Sequence, residues 1–152
     1  MNDLLIRPMN ADDLDQILAI EQASFSAPWS RESMQQELVN DQAHYFVACT
    51  KEDQKNVLGY AGYWQIMDEG HIMNIAVRAE TRRKGIGKEL MEAMLSSGDE
   101  MGILYWTLEV RVSNLSALRL YEKIGFTSAG IRPGYYTHPK EDANILWLTR
   151  SI

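Results

Sequence analysis

The segment RAETRRKGIGK (Arg78–Lys88) holds five basic side chains, one acid and two glycines. Its net charge is +4 on a chain whose formal charge is −6, so the remainder carries −10. A cationic, glycine-bearing loop on an acidic protein suits a bound anion. Glycine admits close backbone approach, and the free N–H groups of a helix's first turn point at the ligand. A solvated loop running into a helix is the plainer alternative. Two common phosphate motifs fail here. Walker A needs Ser or Thr after Gly-Lys, but Gly87-Lys88 is followed by Glu89, and Arg82 stands where the first glycine belongs. The dinucleotide fingerprint needs a third glycine where Leu90 stands. What remains is Arg82-x-x-Gly85-x-Gly87.

Further along, Leu108, Val110 and Val112 alternate with Glu109 and Arg111, which puts both charges on one strand face. They form either a surface ion pair or a functional face. Cys49 sits in the apolar run HYFVACT with no base motif around it, so a packing role is expected instead of an activated thiol. His44, His71 and His138 show no metal-ligand spacing, and no metal is expected. His138 remains a candidate rim contact.

Composition narrows the class. At 152 residues, with 45% hydrophobic and 24% charged residues, the chain is expected to form one globular domain over 1–152. Its acidity argues against direct nucleic-acid binding. No apolar run approaches the ~18–20 residues of a membrane span. The start, MNDLLIRPMNADD, lacks the basic and apolar regions of a secretion signal. A single cysteine permits no internal disulfide, so a cytoplasmic setting is expected.

Hydrophobic periodicity then supplies the elements that must position these groups. Residues 3–9 predict an edge strand. Asn10 is placed to cap a helix whose stripe is Leu14, Ile17, Leu18 and Glu21. FSAPWS (25–30) reads as a loop, and Ser30 opens a weaker helix through Met34 and Leu38. Strands are expected at 43–50 and 57–67, joined as a hairpin by KEDQKN, then a turn at 68–70 and a strand at 71–77. A helix with Ile86, Leu90, Ala93, Met94 and Ser97 on one face follows the glycine segment. Next come a strand at 103–110, a helix from Asn114 to a C-terminal Gly125, and strands at 126–132 and 143–150 around a loop rich in Gly, Pro and Tyr. Strand–helix–strand over 71–110 implies a parallel crossover beside antiparallel hairpins. The expected fold is α/β: one mixed, mostly antiparallel sheet with helices on both faces.

MNIAVRAETRRKGIGKELM, followed by LEVRVSNLSALRLYEKIGF, resembles the GNAT superfamily of acetyl-CoA-dependent N-acetyltransferases from about residue 57 onward. FSAPWS, NIAV, the LEVR strand with its Ser-Asn, the LYEKIGF helix end, and Arg132, Tyr135 and Tyr136 narrow the likeness. Together they resemble the bacterial ribosomal-protein alanine N-acetyltransferases (the RimI subfamily).

The resemblance implies a role for each matching position. Ile75, Ala76 and Val77 would meet the pantetheine arm through main-chain atoms, which is compatible with a buried core strand. Arg83, Lys84, Gly85, Ile86, Gly87 and Lys88 would cradle the pyrophosphate, and Arg82 would either join them or shape the loop. Asn114 would contact the coenzyme or serve as a helix N-cap. Glu109 would be the general base and Tyr121 the general acid. The alternatives are a Glu109–Arg111 surface pair and core packing for Tyr121. Acceptor peptides would lie between residues 25–30 and 133–142, with Trp29, Tyr135 and Tyr136 as walls. Glu141 and Asp142 would either attract a cationic N-terminus or form a solvated acidic loop.

The implied activity is direct acetyl transfer from acetyl-CoA to a protein N-terminal α-amine. The implied acceptor is the N-terminal alanine of small-subunit ribosomal protein eighteen, and a monomer or weak dimer is expected. Two alternatives stay open: a relaxed N-acetyltransferase acting on other N-termini, lysines or small amines, and a non-catalytic coenzyme-binding module.

Overall fold

Alternating side chains along the strands feed two separate cores. On β2 (Ala43–Thr50) Val47 enters one and Ala48 the other; on β3 (Gly59–Ile66) Tyr60 and Ala61 divide in the same way. Both cores must be covered, so helices pack on both faces of the sheet. The computed structural model describes residues 3–150; the outermost residues of the expected 1–152 domain and of the N-terminal segment lie outside it.

The remaining elements are β1 (Leu4–Pro8), a 3-10 turn (Ala11–Asp13), α1 (Leu14–Ser24), α2 (Arg31–Val39), β4 (Glu69–Val77), α3 (Ile86–Glu100), β5 (Tyr105–Arg111), α4 (Leu115–Ile124), β6 (Thr127–Thr137) and β7 (Lys140–Thr149). The sheet order is β1-β2-β3-β4-β5-β7-β6, with β4–β5 parallel and the other pairs antiparallel. The expected mixed, mostly antiparallel sheet is therefore observed, with α3 as the crossover. Ile86, Leu90, Met91, Met94 and Leu95 of α3 are buried in one core; Leu14, Ile17, Leu18 and Ile20 of α1 are buried in the other. None of the helices is long and apolar enough to cross a membrane among the described residues.

Two boundaries differ from expectation. β3 begins at Gly59, with Val57 and Leu58 buried in the approach to it, and β4 begins at Glu69, leaving a tighter turn. The larger difference is at the C-terminal end. The expected Gly/Pro/Tyr loop is largely the outer part of the β6–β7 hairpin, which pairs Tyr136 with Glu141 and Thr137 with Lys140. Register shifts between Ser128 and Gly130 and between Arg132 and Tyr136 absorb the residues that read as loop. β6 is an edge strand, where Pro133 costs no ladder bond.

Asp13 fastens β1 to α1. It is buried and accepts a forked pair from Arg7 at 2.8 and 2.9 Å, plus the Asn10 N–H at 2.9 Å. Burial alone would raise this carboxyl; the Arg7 fork and the Asn10 N–H outweigh it and hold it below its ordinary value. A depressed carboxylate stabilises the fold fully above its unfolded pKa of ~3.9 and loses that contribution as pH falls from there through its lower folded value. Thermal melts of wild type and Asp13→Asn should therefore differ clearly at neutral pH and converge below about pH 4. A gap between the melts that does not change with pH would contradict this role.

Candidate active site

The parallel pairing of β4 and β5 is short. It joins Glu69, Gly70 and His71 to Tyr105, Trp106 and Thr107 and then stops. Beyond His71 the two strands part, and β4 keeps only its β3 partner over 72–77, with Met73 bulged between the Ile72–Tyr63 and Asn74–Gly62 pairs. One edge of Ile75–Val77 thus presents main-chain groups with no ladder partner to a cleft of about 1070 Å³. The far wall of this cleft is the outer half of β5 with the start of α4.

The glycine segment closes one end. Gly85 is the N-cap of α3 at φ 80°, a left-handed conformation, and Arg83 before it has φ 65°. These turns bring the chain from β4 into the helix so that Arg83, Gly85, Ile86, Gly87 and Lys88 line the cleft. A loop of this kind with a helix N-terminus behind it offers N–H groups and positive charge to a pyrophosphate. Arg82 also lines the cleft, but its Nε donates to the Val77 carbonyl at 3.2 Å, which ties the loop to β4. Lys84 departs from expectation: it is exposed at the turn between Arg83 and Gly85 and does not line the cleft.

Asn114 is the expected N-cap of α4 and also faces the cleft. Its Oδ1 accepts the Ala117 N–H at 3.2 Å as the N-cap of α4, and the residue lines the cleft.

Glu109 and Tyr121 line the same cleft as Ile75–Val77. Glu109 lies on the exposed face of β5, as the alternation with Leu108 and Val110 requires. The expected alternative, a Glu109–Arg111 surface pair, is not formed. Arg111 instead binds Glu141 at 3.2 Å, the Pro139 and His138 carbonyls, and the face of Tyr136 at 4.2 Å. Tyr121 is 5% exposed and packs edge-on against Phe126 at 5.9 Å. Among the described residues no group takes its hydroxyl in a hydrogen bond, so core packing and cleft access coexist. Burial, with Tyr136 adding, pushes its phenol above the ordinary value and keeps it protonated.

The side of the cleft expected to take the acceptor is aromatic. Tyr135 and Tyr136 meet edge-to-face at 5.0 Å, and Arg132 lies over Tyr135 at 5.0 Å. Burial, then Tyr135 and Glu109, push the Tyr136 phenol up to about 12, so Glu109 is close enough to be felt by it. Across from them stand Phe25, Ser26 and Trp29, and the Ser26 hydroxyl donates to the His138 carbonyl. The two expected acceptor segments therefore touch.

The acidic pair at the hairpin is engaged in hydrogen bonds. Glu141 accepts from Arg111 and from the Ser113 N–H at 2.8 Å, and Asp142 accepts from the Gly134 N–H at 2.8 Å. Both carboxylates are fasteners of the hairpin.

Among the cleft residues outside the sequence expectations is Glu21, fully buried in α1, where it had counted only as part of the apolar stripe. It accepts from the Trp29 N–H at 2.9 Å, from Asn74 Nδ2 at 2.6 Å and from the Tyr60 hydroxyl. Burial pushes this carboxyl up, and the bonds from Tyr60 and Trp29 pull the other way. Cys49 is buried, donates to the Leu5 carbonyl and lies outside the cleft lining, as its packing role requires.

Known proteins resemble this chain in sequence and fold. The family model described as acetyltransferase (GNAT) family matches residues 14–126. A Bacillus subtilis (strain 168) protein provisionally named ribosomal protein bS18-alanine N-acetyltransferase is 40% identical over 95% of this chain and 94% of its own length. The Escherichia coli (strain K12) protein named ribosomal protein bS18-alanine N-acetyltransferase is 32% identical over 97% of this chain and 98% of its own. The crystal structure of the E. coli ribosomal-protein-S18-alanine N-acetyltransferase superposes with a TM-score of 0.88, covering 98% of this chain and 95% of that one at 32% identity. A matched family model over most of the chain, together with relatives above 30% identity along nearly its full length, places the chain in the GNAT acetyltransferase family, as an acetyl-CoA-dependent N-acetyltransferase.

Proposed function

We propose that this enzyme transfers acetyl from acetyl-CoA directly to a protein N-terminal α-amine, and that its acceptor is the N-terminal alanine of ribosomal protein bS18. The observation that carries the reading is the convergence of Glu109, Tyr121 and the Tyr135–Tyr136 wall on one cleft beside the unpaired edge of β4. The two relatives' names point to the same acceptor.

In this reading the chain's groups divide the work. Arg83, Gly85, Ile86, Gly87 and Lys88 hold the coenzyme's pyrophosphate, and main-chain atoms of Ile75–Val77 hold its acyl arm. Glu109, directly or through one water, takes a proton from the acceptor ammonium, whose ordinary pKa is ~8. The freed amine attacks the thioester carbonyl; a C–N bond forms, the C–S bond breaks, Tyr121 delivers its proton to the departing sulfur, and the second proton that the nitrogen sheds as it becomes an amide restores the Tyr121 phenol through solvent. Cys49 takes no part, which agrees with transfer inside a ternary complex. Every residue invoked belongs to one chain, so no partner copy is required. A ribosomal acceptor places the reaction in the cytoplasm.

An N-terminal alanine would present a short, uncharged side chain to this aromatic wall. Because Glu141 is bound to Arg111 and Ser113 and Asp142 to the Gly134 N–H, this reading assigns them no preference for a basic second residue. A thiol-release assay should therefore give an Ala-initiated bS18 peptide a kcat/KM at least ~10²-fold above those of free lysine and spermidine, a difference of about 2.7 kcal/mol in transition-state binding. Comparable values across these acceptors would contradict the reading and favour a relaxed amine acetyltransferase.

A further inference from the structure

Glu21 is 0% exposed at the C-terminal end of α1, yet it lines the cleft. Three donors converge on it from three elements: the Trp29 N–H from the segment between α1 and α2, the Tyr60 hydroxyl from β3 and Asn74 Nδ2 from β4. All three are neutral. The carboxylate is held by hydrogen bonds instead of by an ion pair, and burying a charge this way is costly unless the bonds are complete. An ionised carboxylate is acceptor-only, so it takes all three donors as they stand, with no partner having to turn. A glutamine would turn its NH2 toward either Trp29 or the Tyr60–Asn74 pair.

The placement gives this bond set a consequence. Trp29 stands on the acceptor side of the cleft, and Asn74 immediately precedes Ile75–Val77 on the coenzyme side. One carboxylate thus joins the main chain of the acceptor wall to the strand along which acetyl-CoA is held.

We propose that Glu21 is a positioning residue that sets the width of the acceptor slot, and with it the size of the first side chain accepted, by clamping the Trp29 main chain to β4. The proposal rests on the acceptor reading above and names the residue that enforces it. It differs from a purely structural role because slot width acts on acceptor selection and leaves the pyrophosphate loop untouched. A misplaced wall of about 1 Å is enough to cost as much as ~10²-fold in rate.

The test compares wild type, Glu21→Gln and Tyr60→Phe on matched peptides beginning with Ala and with Leu. Acetyl-CoA affinity is measured by calorimetry and folding by thermal melts. In Glu21→Gln the acceptor KM should rise ~10-fold and the Ala-over-Leu ratio of kcat/KM should fall by a similar factor, well inside the ~10²-fold that misplacement can cost, while acetyl-CoA affinity stays within about twofold. Tyr60→Phe keeps the ring and removes one donor, so it should move both acceptor parameters the same way by a smaller factor. A lowered melting temperature with unchanged acceptor KM and unchanged ratio would overturn the proposal. So would a parallel loss of acetyl-CoA affinity, which would assign Glu21 to the coenzyme strand alone. If Glu21→Gln does not fold, Tyr60→Phe decides by the same two parameters. If wild type shows no preference for α-amines, the acceptor reading fails separately, and the variants are compared across the acceptors wild type does use. A changed selectivity there supports the clamp and an unchanged one overturns it.

Discussion

Glu109→Gln is expected to lower kcat by ~10²-fold or more, the usual cost of losing a general base, with acetyl-CoA affinity nearly unchanged. The substitution keeps shape and exposure on the outer face of β5, where Glu109 contributes nothing to either core. A loss confined to the chemical step is therefore what proton abstraction predicts. Tyr121→Phe is the companion variant. It keeps the ring against Phe126 and removes only the hydroxyl. If Tyr121 supplies the proton to the leaving sulfur, the variant should melt like wild type, bind acetyl-CoA and turn over slowly. Tyr121→Ala, by contrast, should lose ~3–5 kcal/mol of stability through the cavity it leaves. Full activity in both Glu109→Gln and Tyr121→Phe would refute the mechanism, leaving solvent and positioning to account for the transfer.

The second large effect concerns the loop ahead of α3. Gly85→Val should weaken acetyl-CoA binding at least ~10-fold, about 1.4 kcal/mol or more, by calorimetry. Gly85 sits at φ 80°, where a side chain costs roughly 1–2 kcal/mol, and a Cβ there meets no atom within 4 Å. The fold can therefore tolerate the substitution with a modest drop in melting temperature. The surface offered to the pyrophosphate gains a branched side chain where close backbone approach is needed. An affinity equal to wild type would contradict the assignment of this loop.

Much of the site was legible because its signals are local. Charge and glycine spacing marked the loop at 82–88, strand alternation put Glu109 on a polar face, and Asn114 and Gly125 bracketed α4. The resemblance to the acetyltransferases then attached roles that spacing alone could not supply. What escaped depends on contacts between distant residues. Glu21 recurs in helical register with Leu14, Ile17 and Leu18, so it counted as part of the stripe. The usable signal was a carboxylate on a buried face, which demands donors, and Tyr60 and Asn74 supply them from residues 39 and 53 positions away.

The partners of Glu141 and Asp142 were hidden for the same reason. Acids in a turn-rich segment read as free charge, yet Arg111, at 30 residues' separation, binds the first, and the Gly134 N–H binds the second. The outer hairpin escaped because Pro133 and Gly134 are loop formers by type. Bulges in an edge strand accommodate them, a circumstance that depends on sheet order and not on local composition.

Intact-mass measurement with N-terminal fragment mapping, on purified bS18 incubated with acetyl-CoA and this enzyme, tests the central claim most directly. The account predicts one acetyl group, placed on the α-nitrogen of the N-terminal alanine, appearing with wild type and strongly slowed with Glu109→Gln. Unmodified bS18, or acetyl groups on lysine side chains with the N-terminus free, would contradict it.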